Sequence, residues 1–563
     1  MATTKENIPS KTKGRTWGII LAFALLLALG FVLYRALQPK PLELAEGYIA
    51  APAETAQLND ENGESIDELV RGSAVTYVVE QREKEQPVRI VLDDEQKTFG
   101  YLKEENLTDD PAKVVTCGMV YVRTSVNLTD ESGAKPGALV EKGEGLPVIG
   151  YDGLQKDGSV ARYRVQLPQE EGYIRAAYVT MDEKSALAQY DERTYQLHTS
   201  RGNKWGGGDA AGLDYFPREK GDFGESGNKM PEEVRALYLN CGVLDAVDDY
   251  LSVAKDSGIN AFVVDIVDGG AIGYPSPVME QYCPTAFENA QNTLEEYRTA
   301  IEKIRNAGYY VIGRITTFND PCLAKDHPKC VIADRSGEPM KISSMYWPSA
   351  YSRYVWQYKV DLALEAVQTM GFHEIQFDYV RFPDGTWRYD EDAIDYRNTY
   401  DESKAQAVQR FLMYACDRLH DAGVYVSADV FGECAEDYVT AYGQYWPAIS
   451  TVVDAISGMP YPDHYGASGN YLPWEHPYDT LYGFGSMAGE RQKETASPAA
   501  VRTWIQAYNA IREPYNTYGP EQVAQEIRAL RDTGHTGGFM TWNGGSDIGK
   551  YRSLLPVLTE KAK

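Results

Sequence analysis

From residue 231 onward the chain alternates short apolar runs with amphipathic helical stretches, and no other feature limits its possible folds as strongly. Runs of strand character stand at 236–239, 261–266, 310–315, 374–378, 424–430, 454–459, 503–507 and 538–542. Helical stretches such as 244–257, 293–306 and 521–532 separate most of them. Eight such steps in series predict a (β/α)8 TIM barrel, an α/β fold, over residues 231–563. A doubly wound sheet would call for a glycine-rich phosphate turn after the first strand, and Asn240-Cys241-Gly242-Val243 lacks that spacing.

In such a barrel alternate side chains of each strand face the interior, and chemistry gathers at the C-terminal strand ends. On the fourth run Ile375 and Phe377 form the helix-facing set, which leaves Gln376 and Asp378 inside. On the fifth, Val424, Val426, Ala428 and Val430 face helices, leaving Tyr425, Ser427 and Asp429 inside. On the second, Phe262, Val264 and Ile266 leave Asp265 inside. Three inward carboxylates at one end must share a pocket, which is costly without cations or protons. Arg314 at the end of the third run and Arg381 just past Asp378 are the available counter-charges.

One ionised carboxylate beside one that carries a proton is what glycoside cleavage requires. Asp378 and Asp429 are therefore the expected catalytic pair, with Asp265, Arg314 and Arg381 on the binding side. Asp265 and Arg314 fit equally a structural ion pair that braces the barrel. Tyr379, Tyr461, His464 and Trp542, with Trp504 or Tyr508, lie at or beyond strand ends, where rings can stack on sugar faces. Trp504 also suits a core position. Gln506 and Asn543 can hydrogen-bond hydroxyls. With seven histidines and no paired ligand motif, neither a metal centre nor a cofactor is expected.

Residues 17–34 form an uncharged apolar run preceded by Lys11, Lys13 and Arg15. The run can span a bilayer, and its basic flank keeps the N-terminus in the cytoplasm. The expectation is a cytoplasmic tail at 1–16, one membrane helix at 17–34 and an extracellular remainder. A cleaved signal peptide competes with this, but no small-x-small site follows Tyr34. Residues 35–63 and 182–230 read as linkers, the second ending in a stretch dense in Gly, Asp and Lys.

Between the linkers lies a repeat. GYLKEENLT at 100–108 matches GYIRAAYVT at 172–180, and Arg89-Ile90-Val91-Leu92 mirrors Arg164-Val165-Gln166-Leu167. Short alternating strands between Gly and Asp turns predict two small β-barrels, at 64–110 and 114–181, the first more degenerate.

A net charge of −27 argues against nucleic acid and anionic lipid, and favours a neutral or cationic partner. Seven scattered cysteines without a CxxC pair signal neither zinc nor a disulfide framework.

The two N-terminal units resemble bacterial SH3-like domains, whose closing strands read Gly-Tyr-aliphatic, a turn, and a last aliphatic strand; the second unit also has the opening YVRTSVNL at 121–128. That resemblance implies modules facing wall peptide or glycan; the competing reading is a pair of spacers that hold the barrel off the membrane. Residues 234–556 resemble the bacterial glycoside hydrolase barrels known as domain of unknown function 4015. The motifs that carry this are EIQFDYVRFP (374–383), NAFVVDIVD (260–268), GRI (313–315), SADVFG (427–432) and GMPYPDHY (458–465), with Val267 where that family usually has lysine. The resemblance implies a glycosidase-like TIM barrel. The resulting expectation is a membrane-anchored extracellular glycoside hydrolase acting on cell-wall peptidoglycan glycan or extracellular polysaccharide. The alternative is a catalytically silent glycan-binding barrel that tethers or senses the wall.

Overall fold

The computed structural model of the protein describes residues 42–50, 55–79, 87–93, 98–109, 114, 118–155, 159–188, 192–201 and 206–559. The expected membrane helix at 17–34 and the tail before it lie outside these residues. Among the described residues no helix is long and apolar enough to cross a membrane.

The N-terminal part is all-β. One seven-stranded sheet runs from Leu44–Ile49 to Leu107–Thr108, and a second from Met119–Val122 to Val179–Thr180. In both, the strands lie in the order third, second, sixth, fifth, fourth, first, seventh, so the sequence repeat is a repeat of fold. The repeated glycine has the same job in each copy. A Cβ at Gly100 would sit 2.7 Å from the Leu58 side chain, and one at Gly172 would sit 2.8 Å from Leu128; both leucines lie on the second strand of their sheet. Only hydrogen leaves room for that close approach.

Two segments expected as linkers carry regular structure. Leu44–Ile49 and Thr55–Asn59, inside 35–63, are strands of the first sheet. Ala45, Glu46 and Gly47 dilute the alternation there, yet Ile49, Ala56 and Leu58 join the core with Val88, Ile90 and Leu102. Within 182–230 stand the helices Glu183–Leu187 and Glu192–Thr199, the first started by Asp182, whose side chain accepts from Ser185 N at 2.9 Å.

The C-terminal part is a closed parallel barrel with helices outside it. Its strands are Val234–Leu239, Ala261–Asp268, Tyr310–Thr316, Glu374–Asp378, Tyr425–Phe431, Ala455–Met459, a seventh in two pieces, Ala500–Val501 and Thr503–Gln506, and Gly538–Trp542. Each pairs with the next, and the eighth returns to the first. The pieces of the seventh strand pair with the sixth and the eighth respectively, on either side of Arg502. Val234–Leu239 is buried at every position, because interior and helices cover a barrel strand on both faces. The helix Leu294–Asn306 shows the outer layer's design: a Thr293–Glu296 capping box starts it, and Tyr297, Ala300, Ile301 and Ile304 form its buried stripe. Each large apolar side chain buried this way contributes about 1.5–3 kcal/mol.

The interior core contains Ala236, Tyr238, Val263, Ile312, Tyr425, Trp504 and Met540, which is the parity expected from the alternation. Near its N-terminal end Arg502 Nη1 closes on both oxygens of Glu374 at 2.6 and 2.7 Å. The other charged cluster lies at the C-terminal end.

Candidate active site

The register of neighbouring strands sets Asp265 opposite Arg314, and Thr316 opposite Asp378. Parity then turns Asp265, Arg314, Asp378 and Asp429 inward, and all four are at most 5% exposed. Arg314 is the hub. Its Nη1 donates to Asp265 Oδ1 at 2.6 Å, and its Nη2 and Nε donate to Asp378 Oδ2 at 2.6 and 3.2 Å. Nη2 also reaches Asp268 Oδ1 at 3.4 Å, and Asp429 Oδ2 lies 3.9 Å from Nε. The Tyr238 hydroxyl donates to the second oxygen of Asp265, and the Trp542 face lies 5.2 Å from the guanidinium.

A single guanidinium cannot neutralise this many carboxylates, so protons complete the balance. Burial, reinforced by the charge of Asp378 and opposed by Arg314, holds Asp429 well above the usual carboxylate range. Burial also pushes Asp265 up to about 7, against the pull of Arg314. Asp429 Oδ1 accepts from Trp504 Nε1 at 2.8 Å, whereas its buried Oδ2 has no hydrogen-bond partner among the described residues. That oxygen is where a proton fits. Asp378, by contrast, meets donors at both oxygens: Arg314 at Oδ2, and the Tyr379 N–H at Oδ1, 2.6 Å away. Both of its oxygens thus serve as hydrogen-bond acceptors. Tyr379 has φ +50°, an uncommon setting for a ring-bearing residue, and this sharp turn is what brings its N–H back to Asp378. Because Asp378 Oδ2 and Asp429 Oδ2 approach the same Nε at 3.2 and 3.9 Å, they are at most about 7 Å apart.

A cavity of about 630 Å³ opens over this cluster. Asp378, Arg314 and Asp268 are in its wall, with Tyr379, Tyr461 and Trp542 supplying ring faces. Its size is ordinary for a small-molecule or glycan site. Asp429 and Asp265 lie beneath the lining, and Trp504 does both jobs, forming part of the wall while holding Asp429.

Of the residues expected from sequence, Tyr379, Arg381, Tyr461, His464 and Trp542 reach the cavity. Arg381 does so without balancing Asp378. It bonds Phe382 O and Asp384 and lies 4.1 Å over Phe431, so the counter-charge comes from Arg314. His464 Nδ1 pairs with the buried Asp463 at 2.9 Å, which also accepts from Tyr508 Oη and Ile511 N. Gln506 and Asn543 are not in the wall. Gln506 is fully buried, its amide donating to Tyr508 O, and Asn543 donates to Asp547 O; both brace loops instead of meeting hydroxyls.

Several residues of the site were not expected, Tyr238 and Glu433 among them. Tyr238 shares the inward parity of Ala236, a signal that could have found it. Glu433 lines the cavity with its oxygens held by Tyr438 Oη at 3.1 Å and Tyr442 Oη at 3.0 Å. It sits in a turn where no period points to it.

Comparison with solved structures finds a hypothetical protein from Ruminiclostridium thermocellum, 31% identical over 34% of this chain and 97% of that one, with a TM-score of 0.29. The glycoside hydrolase domain of PgaB (BpsB) from Bordetella bronchiseptica is 13% identical over 59% of this chain and 100% of that one, TM-score 0.42. A GH18 chitinase from Pseudoalteromonas aurantia is 11% identical over 58% and 100%, TM-score 0.35. No curated protein matches the chain. The family model described as "Putative glycosyl hydrolase domain", domain of unknown function 4015, matches residues 236–547, more than half of the chain, and the protein belongs to that family.

Proposed function

We propose that the protein hydrolyses glycosidic bonds in a cell-wall or extracellular polysaccharide, with Asp378 as nucleophile and Asp429 as acid/base. One observation carries this reading: a cavity-facing carboxylate gripped by Arg314 stands beside a buried carboxyl that keeps its proton. In the first step an Asp378 oxygen bonds the anomeric carbon as the glycosidic C–O bond breaks, and the leaving oxygen takes the Asp429 proton, a transfer that requires Asp429, buried beneath the wall, to be uncovered as substrate binds. In the second, water attacks the same carbon, its proton returns to Asp429, and Asp378 is released. Tyr461 and Trp542, 6.4 Å apart with their planes inclined by 27°, offer ring faces for the sugar.

The test is digestion of purified wall glycans and exopolysaccharides, with mass analysis of the products. Oligosaccharides released by the wild type and not by Asp378→Asn support the reading. Binding without turnover would assign the barrel to glycan capture.

The same reading sets the enzyme outside the cell on a membrane anchor. Its support is the apolar run 17–34 behind Lys11, Lys13 and Arg15. Protease added to intact cells should degrade the barrel, and protection of the barrel would count against the anchor. The repeated β units, with their SH3-like pattern, fit wall-facing modules, and co-sedimentation of the protein with peptidoglycan checks that role.

A further inference from the structure

Two large exposed rings stand in loops that also supply wall residues of the cavity. Its wall includes Asp384, in the loop after the fourth barrel strand, and Arg512, in the loop after the seventh. In a closed eight-stranded barrel these strands are three places apart, so the two loops face one another across most of the mouth. Three residues past Asp384 is Trp387, 76% exposed. Three residues past Arg512 is Tyr515, 67% exposed, and Ile511 just before it is 63% exposed. Exposed rings carried on the same loops as wall residues of a binding cavity are placed to extend its contact surface.

Both rings are carried on braced turns. Gly385, with φ +78°, opens the short turn Thr386–Arg388, in which Arg388 N–H bonds Gly385 O at 3.2 Å and Tyr389 N–H bonds Thr386 O at 3.0 Å. The same loop is stitched to the one before it by pairing of Ala333–Asp334 with Ile394–Asp395. On the opposite side Ala510 N–H bonds Asn516 O at 3.1 Å, Ile511 N–H bonds Asp463 Oδ2 at 3.1 Å, and Arg512 Nη1 bonds Tyr465 O at 3.3 Å. Presentation on fixed turns lowers the ordering cost of stacking a ligand there.

We infer that a neutral or cationic polysaccharide crosses the whole mouth, stacking on Trp387 at one side and Tyr515 at the other, so that cleavage falls within the chain. The inference rests on the proposed hydrolysis at Asp378. A pocket for chain ends needs one closed side, whereas here the two loops that supply Asp384 and Arg512 to the wall each carry an exposed ring. Pyranose rings present apolar C–H faces that suit such surfaces, and the chain's net charge of −27 disfavours a polyanionic glycan.

The full-length protein is assayed on glycol chitin, hydroxyethylcellulose and glycol chitosan, with viscosity and new reducing ends followed together. Internal cleavage makes viscosity fall early, while few reducing ends have formed. Trp387→Ala and Tyr515→Ala should each raise KM for the cleaved polymer about tenfold, the worth of one stacked ring. The rise should shrink on oligosaccharides of the same sugar too short to reach the rim. Thermal melts of both variants check that the fold is kept. Viscosity retained while mono- or disaccharides accumulate, or wild-type KM in both variants, overturns the inference and leaves hydrolysis standing. If none of the three polymers is cut, the hydrolytic reading for neutral and cationic glycans falls, and the inference with it.

Discussion

Arg314 grips Asp378 with two nitrogens on one carboxylate oxygen, Nη2 at 2.6 Å and Nε at 3.2 Å, and turns its Nη1 to Asp265 at 2.6 Å. One guanidinium thereby supports a carboxylate in the cavity wall and another beneath it. The grip also orients Asp378, since the bonds come from a rigid planar fork.

Replacing this hub should be expensive. Arg314→Met strips both carboxylates of their cation inside the barrel, and loss of one partner from a buried ion pair costs about 3–5 kcal/mol. Urea unfolding of the variant measures the loss. A change below about 1 kcal/mol would mean that Asp265 and Asp378 do not depend on the guanidinium.

Asp378→Asn keeps the shape of the side chain and removes the nucleophilic oxygen. Turnover should drop by about 10³-fold or more, with the far-ultraviolet circular dichroism unchanged. Wild-type activity in this variant would remove Asp378 from the reaction and shift attention to Glu433.

For Asp429 the direction of its titration makes a second prediction. Its folded pKa lies above the unfolded value near 4, because of burial and the neighbouring charge of Asp378. The folded state therefore binds the extra proton. The associated stability is fully present below the unfolded pKa and is lost as pH rises through the folded one. Asp429→Asn has no proton to lose, so its unfolding free energy should decline less than that of the wild type as pH rises above about 4. Its activity should fall about 10²–10⁴-fold. Parallel stability curves for the two proteins would show that Asp429 titrates alike in the folded and unfolded chains.

With Asp378 as the attacking group no water stands between the two carboxyls, and their oxygens, no more than about 7 Å apart, leave room for that arrangement. Hydrolysis should retain the anomeric configuration. Proton NMR of the first-formed product settles the stereochemistry, and an inverted anomer would recast Asp378 as a base acting through water.

Much of this site was legible in the linear chain, because strand periodicity is local covalent geometry. Alternation of Ile375, Phe377 and their neighbours with Gln376 and Asp378 is enough to turn Asp378 inward, and the same argument holds for Asp265 and Asp429. The repeated Gly-Tyr of the two β units likewise announced two copies of one fold. Sequence was silent where the period is broken or diluted: Ala45-Glu46-Gly47 hid the first strand of the first sheet, and no pattern marked Glu433 in its turn.

Which charge answers which could only be decided in three dimensions. Arg381 is three residues from Asp378 and does not pair with it, while Arg314, 64 residues away, does. The proton on Asp429 depends on burial beneath the cavity wall and on the nearby Asp378, and Gln506 spends its amide on Tyr508 O. Coulomb energy and desolvation follow distance and depth, neither of which is written in the spacing of residues along a strand.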